Sequence, residues 1–335
     1  EVGVRGVTLN GALSRLSDTR WWRRRLRAAT RRALEATARD AGFVHRYAAL
    51  YVSNGTLERC QAQRRRNSAL LECIEVVNEL GDSFTLADLR ERSIANPKNR
   101  RNELMCRLAG FEAIADELGH VGEFVTLTCP RRYHCRRSRD GRSVEAYNGA
   151  TPREGQVYLR QVWARIRSAL KRRGIGLYGM RMAEPNHDGT PHWHLILFVD
   201  PQQRDEFRHI VRHYGLQEDG DEAGAAKHRV RFEAIDRSRG SAVSYAAKYV
   251  SKGIDGAGLD PASEGIAPAE KADRIKAWAS TWGIRQFQQV GGPPVTIYRE
   301  LRRAAAAPTE LLERIRAAAD AGDWAEFTRL MGGPT

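Results

Sequence analysis

Cysteine is scarce and unpatterned in this chain. Cys60, Cys73, Cys106, Cys129 and Cys135 are odd in number, irregular in spacing and include no CxxC pair, which argues against a disulfide framework and a redox dithiol. The run CPRRYHC brings Cys129, His134 and Cys135 close together, but no second ligand pair at zinc-site spacing follows it. The expectation is free thiols in a reducing compartment. Long apolar runs are missing too: none approaches the roughly 20 residues that span a bilayer, and no secretory signal pattern opens the chain. There is no GxxxxGKS or GxxxxGKT loop, so no P-loop ATPase is expected, and there is no internal repeat. The first residue is Glu1 rather than Met, which reads as a segment of a longer chain.

What is abundant is positive charge. Lys and Arg number 55 against 41 Asp and Glu, a net +14 over 335 residues. Such a surplus favours polyanionic partners, nucleic acid first. A membrane surface fits less well, because no segment pairs a basic face with a broad, bulky apolar one. Hydrophobic residues at 41% and aromatics at 8% are those of a soluble globular protein, long enough for two or three domains and a sizeable core.

From Leu13 to about His120 the pattern is helical. WWRRRLRAATRRALEATARDAG stops at Gly42, SALLECIEVVNELG at Gly81, TLADLRERSIANP before Pro97 and NRRNELMCRLAGFEAIADELG at Gly119, with Thr85 and Asp88 in capping-box order. Residues 1–120 are therefore expected to be an all-helical N-terminal region whose arginines, Arg23, Arg24 and Arg25 among them, contact DNA. The character changes at EFVTLTCP, a β-rich run closed by Pro130. A polar, basic loop follows, then the helix QVYLRQVWARIRSALKRRG, with Val157, Val162, Trp163, Ile166 and Leu170 as its apolar positions. GLYGMRMAEP, NHDGT and PHWHLILFVD read as strand, Asp188-Gly189 turn and return strand. Then come the helix DEFRHIVRHYG, the strand HRVRFEAI, a helix over Ser241–Gly253, a loose link and the helix EKADRIKAWASTWG. IRQFQQVGGPPVTIYREL is expected to be strand-like around its Gly-Gly-Pro-Pro break, and TELLERIRAAADAGDWAEFTRLM helical. The expected class is α+β: residues 121–303 a domain with a central antiparallel sheet flanked by helices, and residues 304–335 a C-terminal helical segment.

Two stretches carry chemistry. In PHWHLILFVD alternate side chains share a face, so His192 and His194 point one way while Trp193 points the other, into core. Pairing across the Asp188-Gly189 turn sets Glu184 near His192, so a carboxylate and two imidazoles can converge on one divalent ion. Imidazole with carboxylate suits Mn²⁺, and Mg²⁺ shares such a site when a phosphate completes its shell. Glu184 and, in the turn, His187 are the two choices for third ligand. In SAVSYAAKYVSKG, at about 100° per residue, Val243, Ala246, Ala247, Val250 and Ile254 fall on one face. Tyr245, Lys248, Tyr249 and Lys252 fall opposite. Tyrosines at i and i+4 beside two ammonium groups suit nucleophilic attack on a phosphodiester, the cations steadying phosphate and favouring the phenolate.

Together these stretches resemble the HUH single-strand endonucleases, specifically the bacteriophage replication gene A protein family. EFVTLTCPRRYH matches the first strand motif, EPNHDGTPHWHLILF the metal hairpin and YAAKYVSKGID the paired tyrosines. AWASTWGIRQFQQVGGPPVTIYRELR is similar downstream, and the likeness spans about Asn96 to Arg303. Tyrosines that follow the histidines fit the Rep-type order. The resemblance implies a sheet whose central strand carries the histidines, with the tyrosine helix packed over it. It implies His192, His194 and Glu184 as ligands of Mg²⁺ or Mn²⁺, Tyr245 and Tyr249 as nucleophiles and Lys248 as the phosphate-facing cation; Lys252, on the same helix face, is expected to contact DNA. It further implies rolling-circle initiation: nicking of single-stranded origin DNA in the bacterial cytoplasm through a 5′-phosphotyrosine link. A host polymerase then extends the free 3′ end, and the missing P-loop assigns unwinding to a host helicase. The rival readings are a non-catalytic origin-binding or replisome-assembly protein and a transposase of the same chemistry.

Overall fold

The computed structural model describes residues 8–238, 240–259 and 266–335. The expected link after the tyrosine helix falls partly on 260–265, outside the described residues. The helices of the N-terminal part are α1 (Leu9–Ser17), α2 (Thr19–Asp40), α3 (Asn54–Cys73), α4 (Leu86–Arg92) and α5 (Pro97–Leu118). Thr85 and Asp88 make the expected capping box on α4. Asn96 caps α5, and the helix ends at Gly119 in the left-handed region, φ 68°. One departure interrupts them. Helical spacing suggested a helix running to Gly81, but α3 stops at Cys73 and the strands β1 (Glu75–Val77) and β2 (Ser83–Thr85) pair antiparallel. The Asn78 side chain accepts the backbone N–H groups of Leu80 and Asp82, and Gly81 takes φ 88°. Turn chemistry and β-branched Ile74, Val76 and Val77 outweigh the apolar period there.

Five strands form the main sheet: β3 (Val121–Thr128), β4 (Tyr178–Pro185), β5 (Pro191–Val199), β6 (Val230–Ala234) and β7 (Phe287–Val290). Their order is β6-β3-β5-β4-β7, with every neighbouring pair antiparallel. β5 is therefore central and flanked by hydrogen-bonded partners on both sides.

The alternation along β5 divides two cores. Trp193, Leu195, Leu197 and Val199 enter one, packed beneath α6 (Pro152–Arg172), α7 (Arg204–Gly215) and the tryptophans of α10 (Pro268–Trp282); α8 (Ala225–His228) precedes β6. Ile196 and Phe198 enter the other, covered by α5, by α9 (Ala242–Ile254) and by Trp324 and Phe327 of the C-terminal helices. The register on α6 differs by one position from the expected stripe: Val157 is exposed, and Tyr158 and Leu159 take its place in the core. VTIYREL, expected as strand, is the helix α11 (Val295–Leu301), started after Pro294 and anchored by buried Tyr298 against Trp324 and Phe327. Gly322, at φ 76°, splits the last run into α12 (Glu310–Ala321) and α13 (Trp324–Leu330).

Elements on both sides of residues 120 and 303 share these cores. At the tip of the β4–β5 hairpin, Arg39 of α2 is 1% exposed. Its guanidinium donates to the carbonyls of Asp188, Ala150 and Tyr133 and to Thr190 Oγ1. The Trp278 ring N–H donates to the Gly189 carbonyl at 2.7 Å. Asp188 itself is fully buried, with its carboxyl held far below the usual range. Burial opposes that shift, and His134 and Arg39 overcome it. The turn that aims the β5 histidines is thus clamped from beneath by two helices.

Candidate metal and tyrosine site

The hairpin register places Glu184 directly opposite His192 and Met182 opposite His194. On the other side Thr128 faces His192 and Thr126 faces His194. All six side chains project to one face. The two Nε2 atoms are 2.9 Å apart, and Glu184 Oε2 lies 3.7 Å from His194 Nε2. Ligand atoms of Glu184, His192 and His194 all fall within 4.8 Å of one another, and among the described residues this is the cluster that can hold a metal ion. His187 is not part of it. It sits in the hairpin turn near Asp188, His134 and His45, its pKa lowered chiefly by burial.

The cluster is prepared for a cation by its protonation state. Burial pushes His192 down to about 4, helped by His134 and Lys252. Burial, His192 and Lys252 push His194 down to about 2. Both imidazoles are neutral at neutral pH, the form that ligates metal. Thr126 Oγ1 lies 3.1 Å from His194 Nδ1, so a proton held on Nδ1 leaves the Nε2 lone pair facing Glu184 and His192. His192 Nδ1 is buried with no hydrogen-bond partner. These donors fit a divalent ion.

Above the cluster lies α9. Its buried face is Ala242, Ala246, Val250, Ser251, Gly253 and Ile254, small enough to let the helix approach the sheet closely. Both ends are pinned. Ser241 caps the first turn, and the Glu112 carboxylate of α5 accepts the N–H of Ala242 at 2.6 Å while pairing with Arg237. At the other end Asp255 pairs with Arg101, and Gln286 donates to the Gly253 carbonyl. Held this way, Tyr249 lies with its ring 4.4 Å from that of His194 and 5.3 Å from that of Phe124. Tyr245, one turn earlier, is 6.4 Å from Phe124. Both tyrosines are half-buried flank residues of α9 rather than its solvent face.

Lys248 is exposed, whereas Lys252 is half-buried, and Lys252 is the lysine whose charge acts on both histidines. The expectation that lysines would favour a Tyr249 phenolate meets a stronger opposing effect. Burial, then Glu184 and Glu233, push its phenol up to about 12 against Arg231. Arg23, Arg24 and Arg25 stand exposed on α2, Arg25 over the Trp21 ring at 5.3 Å. That helix packs through Ala36 into the core on the sheet's opposite face, so it does not join the cluster.

Sequence reasoning missed Thr126, Glu112 and Phe124. Thr126 had a signal: it alternates with Phe124 and Thr128 in EFVTLT and so shares one face of its strand. Glu112 had none, because it acts on a helix 130 residues away.

Comparison with known proteins gives these residues a family setting. Residues 4–257 match the family described as bacteriophage replication gene A protein. The chain is 42% identical to the replication gene A protein of Escherichia phage 186 and 39% identical to that of Escherichia phage P2. It covers 48% and 44% of those proteins with 96% of its own length. It is 35% identical, again over 96% of its length, to a probable replication endonuclease from a prophage-like region of Salmonella paratyphi A, of which it covers 42%. The chain thus spans less than half of each of these relatives. No solved structure matches it.

Proposed function

The chain belongs to the bacteriophage replication gene A protein family, and from that premise we propose that it nicks and joins single-stranded origin DNA through a 5′-phosphotyrosine link, initiating rolling-circle replication. The observation that carries the reading is the meeting of the Glu184, His192 and His194 donors with the Tyr249 ring, 4.4 Å from His194. Such a pairing resembles the HUH arrangement and supports this reading. Glu184, His192 and His194 would hold Mn²⁺ or Mg²⁺, which when bound would supply Lewis-acid polarisation of a phosphate oxygen and offset the Glu184 charge that opposes the Tyr249 phenolate.

The chain's own residues do the rest. Tyr249, against the histidines, is the first nucleophile, and its oxygen forms a bond to phosphorus while the bond from phosphorus to the 3′ oxygen breaks. The phenolic proton ends on the released 3′-hydroxyl, so the phosphodiester energy is kept in the new link. Tyr245, one turn away on the same flank, attacks a second origin phosphodiester. The 3′-hydroxyl it releases attacks the Tyr249 link, re-forming a phosphodiester as the bond from phosphorus to the Tyr249 oxygen breaks and Tyr249 takes up the proton. Lys252 steadies the phosphate, and Lys248 contacts the strand further out. In this reading residues 121–303 carry the chemistry and residues 1–120 contribute DNA contacts through Arg23, Arg24 and Arg25. Residues 304–335 close the helical cover. A host helicase unwinds the duplex and a host polymerase extends the 3′ end.

The test is a denaturing gel of labelled single-stranded origin DNA incubated with protein and Mn²⁺. A covalent adduct is expected, lost with EDTA and reduced at least about a thousandfold in Tyr245→Phe/Tyr249→Phe. Cleavage without an adduct would instead mean a hydrolytic nuclease, and binding without cleavage a non-catalytic origin binder.

A further inference from the structure

Where the edge strand β7 meets the first half of α5, four guanidinium groups gather. Arg100, Arg107, Arg285 and Arg299 line a cavity of about 440 Å³, closed on one side by the turn at 291–294. The carboxylate on its wall is already engaged. Glu103 accepts two hydrogen bonds from Arg299, at 2.8 and 2.6 Å, and lies 3.4 Å from Arg107 Nη2. A second cavity of about 570 Å³ adjoins it, sharing Glu103 and Arg299 and adding Arg92, Arg302 and Arg303. The two form one groove. Arg303 pairs with Glu300; among the described residues Arg92, Arg100, Arg285 and Arg302 have no ion-pair partner.

Such a concentration of like charge is costly without an anion. Arg107 is only 6% exposed and its Nε has no hydrogen-bond partner. Burial and the neighbouring Arg299 both lower the pKa of Arg100. The Gly-Gly-Pro-Pro turn walls the groove and packs closely on the core. Gly291 and Gly292 sit at φ 67° and 68°, and a Cβ at Gly292 would come within 2.7 Å of the Phe111 ring. Arg100 also lies over the Phe287 ring at 5.7 Å, a cation–aromatic platform of the sort that supports an unstacked base. The groove begins close to the metal donors. Phe287 pairs with Met182, two residues from Glu184 on the same face, roughly 8 Å away at ordinary strand spacings.

We propose that this groove binds the phosphodiester backbone of single-stranded DNA flanking the cleavage point, an inference that rests on the reading of the chain as a DNA-nicking enzyme. Guanidinium forks match phosphate oxygens, and four of those lining the groove form no ion pair of their own among the described residues, Glu103 acting on Arg100 only at longer range.

The test compares two triple variants of equal charge loss. Arg100→Gln/Arg285→Gln/Arg302→Gln removes exposed groove arginines, and Arg167→Gln/Lys171→Gln/Arg172→Gln removes exposed charges from α6 on the other side of the sheet. Affinity for a labelled mixed-sequence single strand is measured by anisotropy across a salt series, with circular dichroism as the folding control. The groove variant is expected to bind about tenfold or more weakly, with a salt slope shallower by about 2, at roughly 0.7 per lost phosphate contact. The α6 variant should stay near wild type. Equal losses in the two variants, or none in the groove variant, would overturn the groove. So would wild-type protein that binds inorganic phosphate as tightly as the strand. Wild type that forms the covalent adduct while the groove variant binds normally would sink the groove alone. Wild type that neither binds the strand nor forms an adduct would take the nicking reading down with it.

Discussion

Along β5, neighbouring side chains serve two different ends. Trp193 is 1% exposed, its ring N–H donates to Gln156 at 2.9 Å, and the Arg181 guanidinium lies over its ring at 4.3 Å. His192 and His194, on either side of it, hold buried nitrogens 2.9 Å apart, kept neutral where water would let them protonate. Trp193 gains by matching its surroundings. The histidines sit in surroundings that suit them only when a cation arrives. The difference teaches that at the hairpin end of β5 one face anchors the strand and the other carries the chemistry, while further along both faces pack into core.

The sharpest way to break that comparison is to mutate across it. Trp193→Ala should cost about 3–5 kcal/mol of stability, the range for emptying a large buried aromatic site, read by denaturant unfolding. His192→Asn should change stability by no more than about 1 kcal/mol yet abolish Mn²⁺ binding in calorimetry. If the two losses came out alike, the division between faces would be wrong.

Acid should expose the same contrast. In the folded chain His192 stays neutral until about pH 4 and His194 until about pH 2, while unfolded histidine takes its proton near pH 6.5. Between those values the unfolded state binds more protons, so metal-free stability should fall as pH drops from 6.5 towards 4. Mn²⁺ affinity should stay nearly flat from pH 8 to about 5 and decline below. A decline already centred on pH 6.5 would mean that the histidines are not desolvated. The smallest effect should come from Thr126→Val, which removes the partner of His194 Nδ1. Mn²⁺ affinity should weaken by about tenfold, as for loss of a hydrogen bond behind a ligand, with little change in melting temperature.

Local rules account for what was legible in the sequence. The Asp-Gly signal marks a tight hairpin, so Glu184 near His192 was legible from spacing. The register that sets the two directly opposite comes from a three-residue loop, 187–189, closed by the Asn186 N–H donating to the Thr190 carbonyl. Cap residues marked α4 and α5. The turn chemistry of Asn78 was present but overridden in the reading by apolar spacing, and Pro294 before VTIYREL is a helix-start signal that the β-branched residues masked. A helical wheel places tyrosines relative to their own helix only. It could not show that the flank bearing Tyr249 would rest on Phe124 and His194, or that Lys252 rather than Lys248 would act on the histidines. Those relations depend on how α9 is seated, and Glu112 and Arg101, far off in sequence, seat it.

The Arg39 clamp bears on how this protein can be trimmed for the bench. A fragment starting at the first strand of the sheet would keep every proposed ligand and both tyrosines. It would also leave the carbonyls of Asp188, Ala150 and Tyr133 without the guanidinium that gathers them, beneath a carboxylate with no solvent access. The smallest piece worth expressing therefore starts ahead of α2, and a shorter one that fails would say nothing about the chemistry.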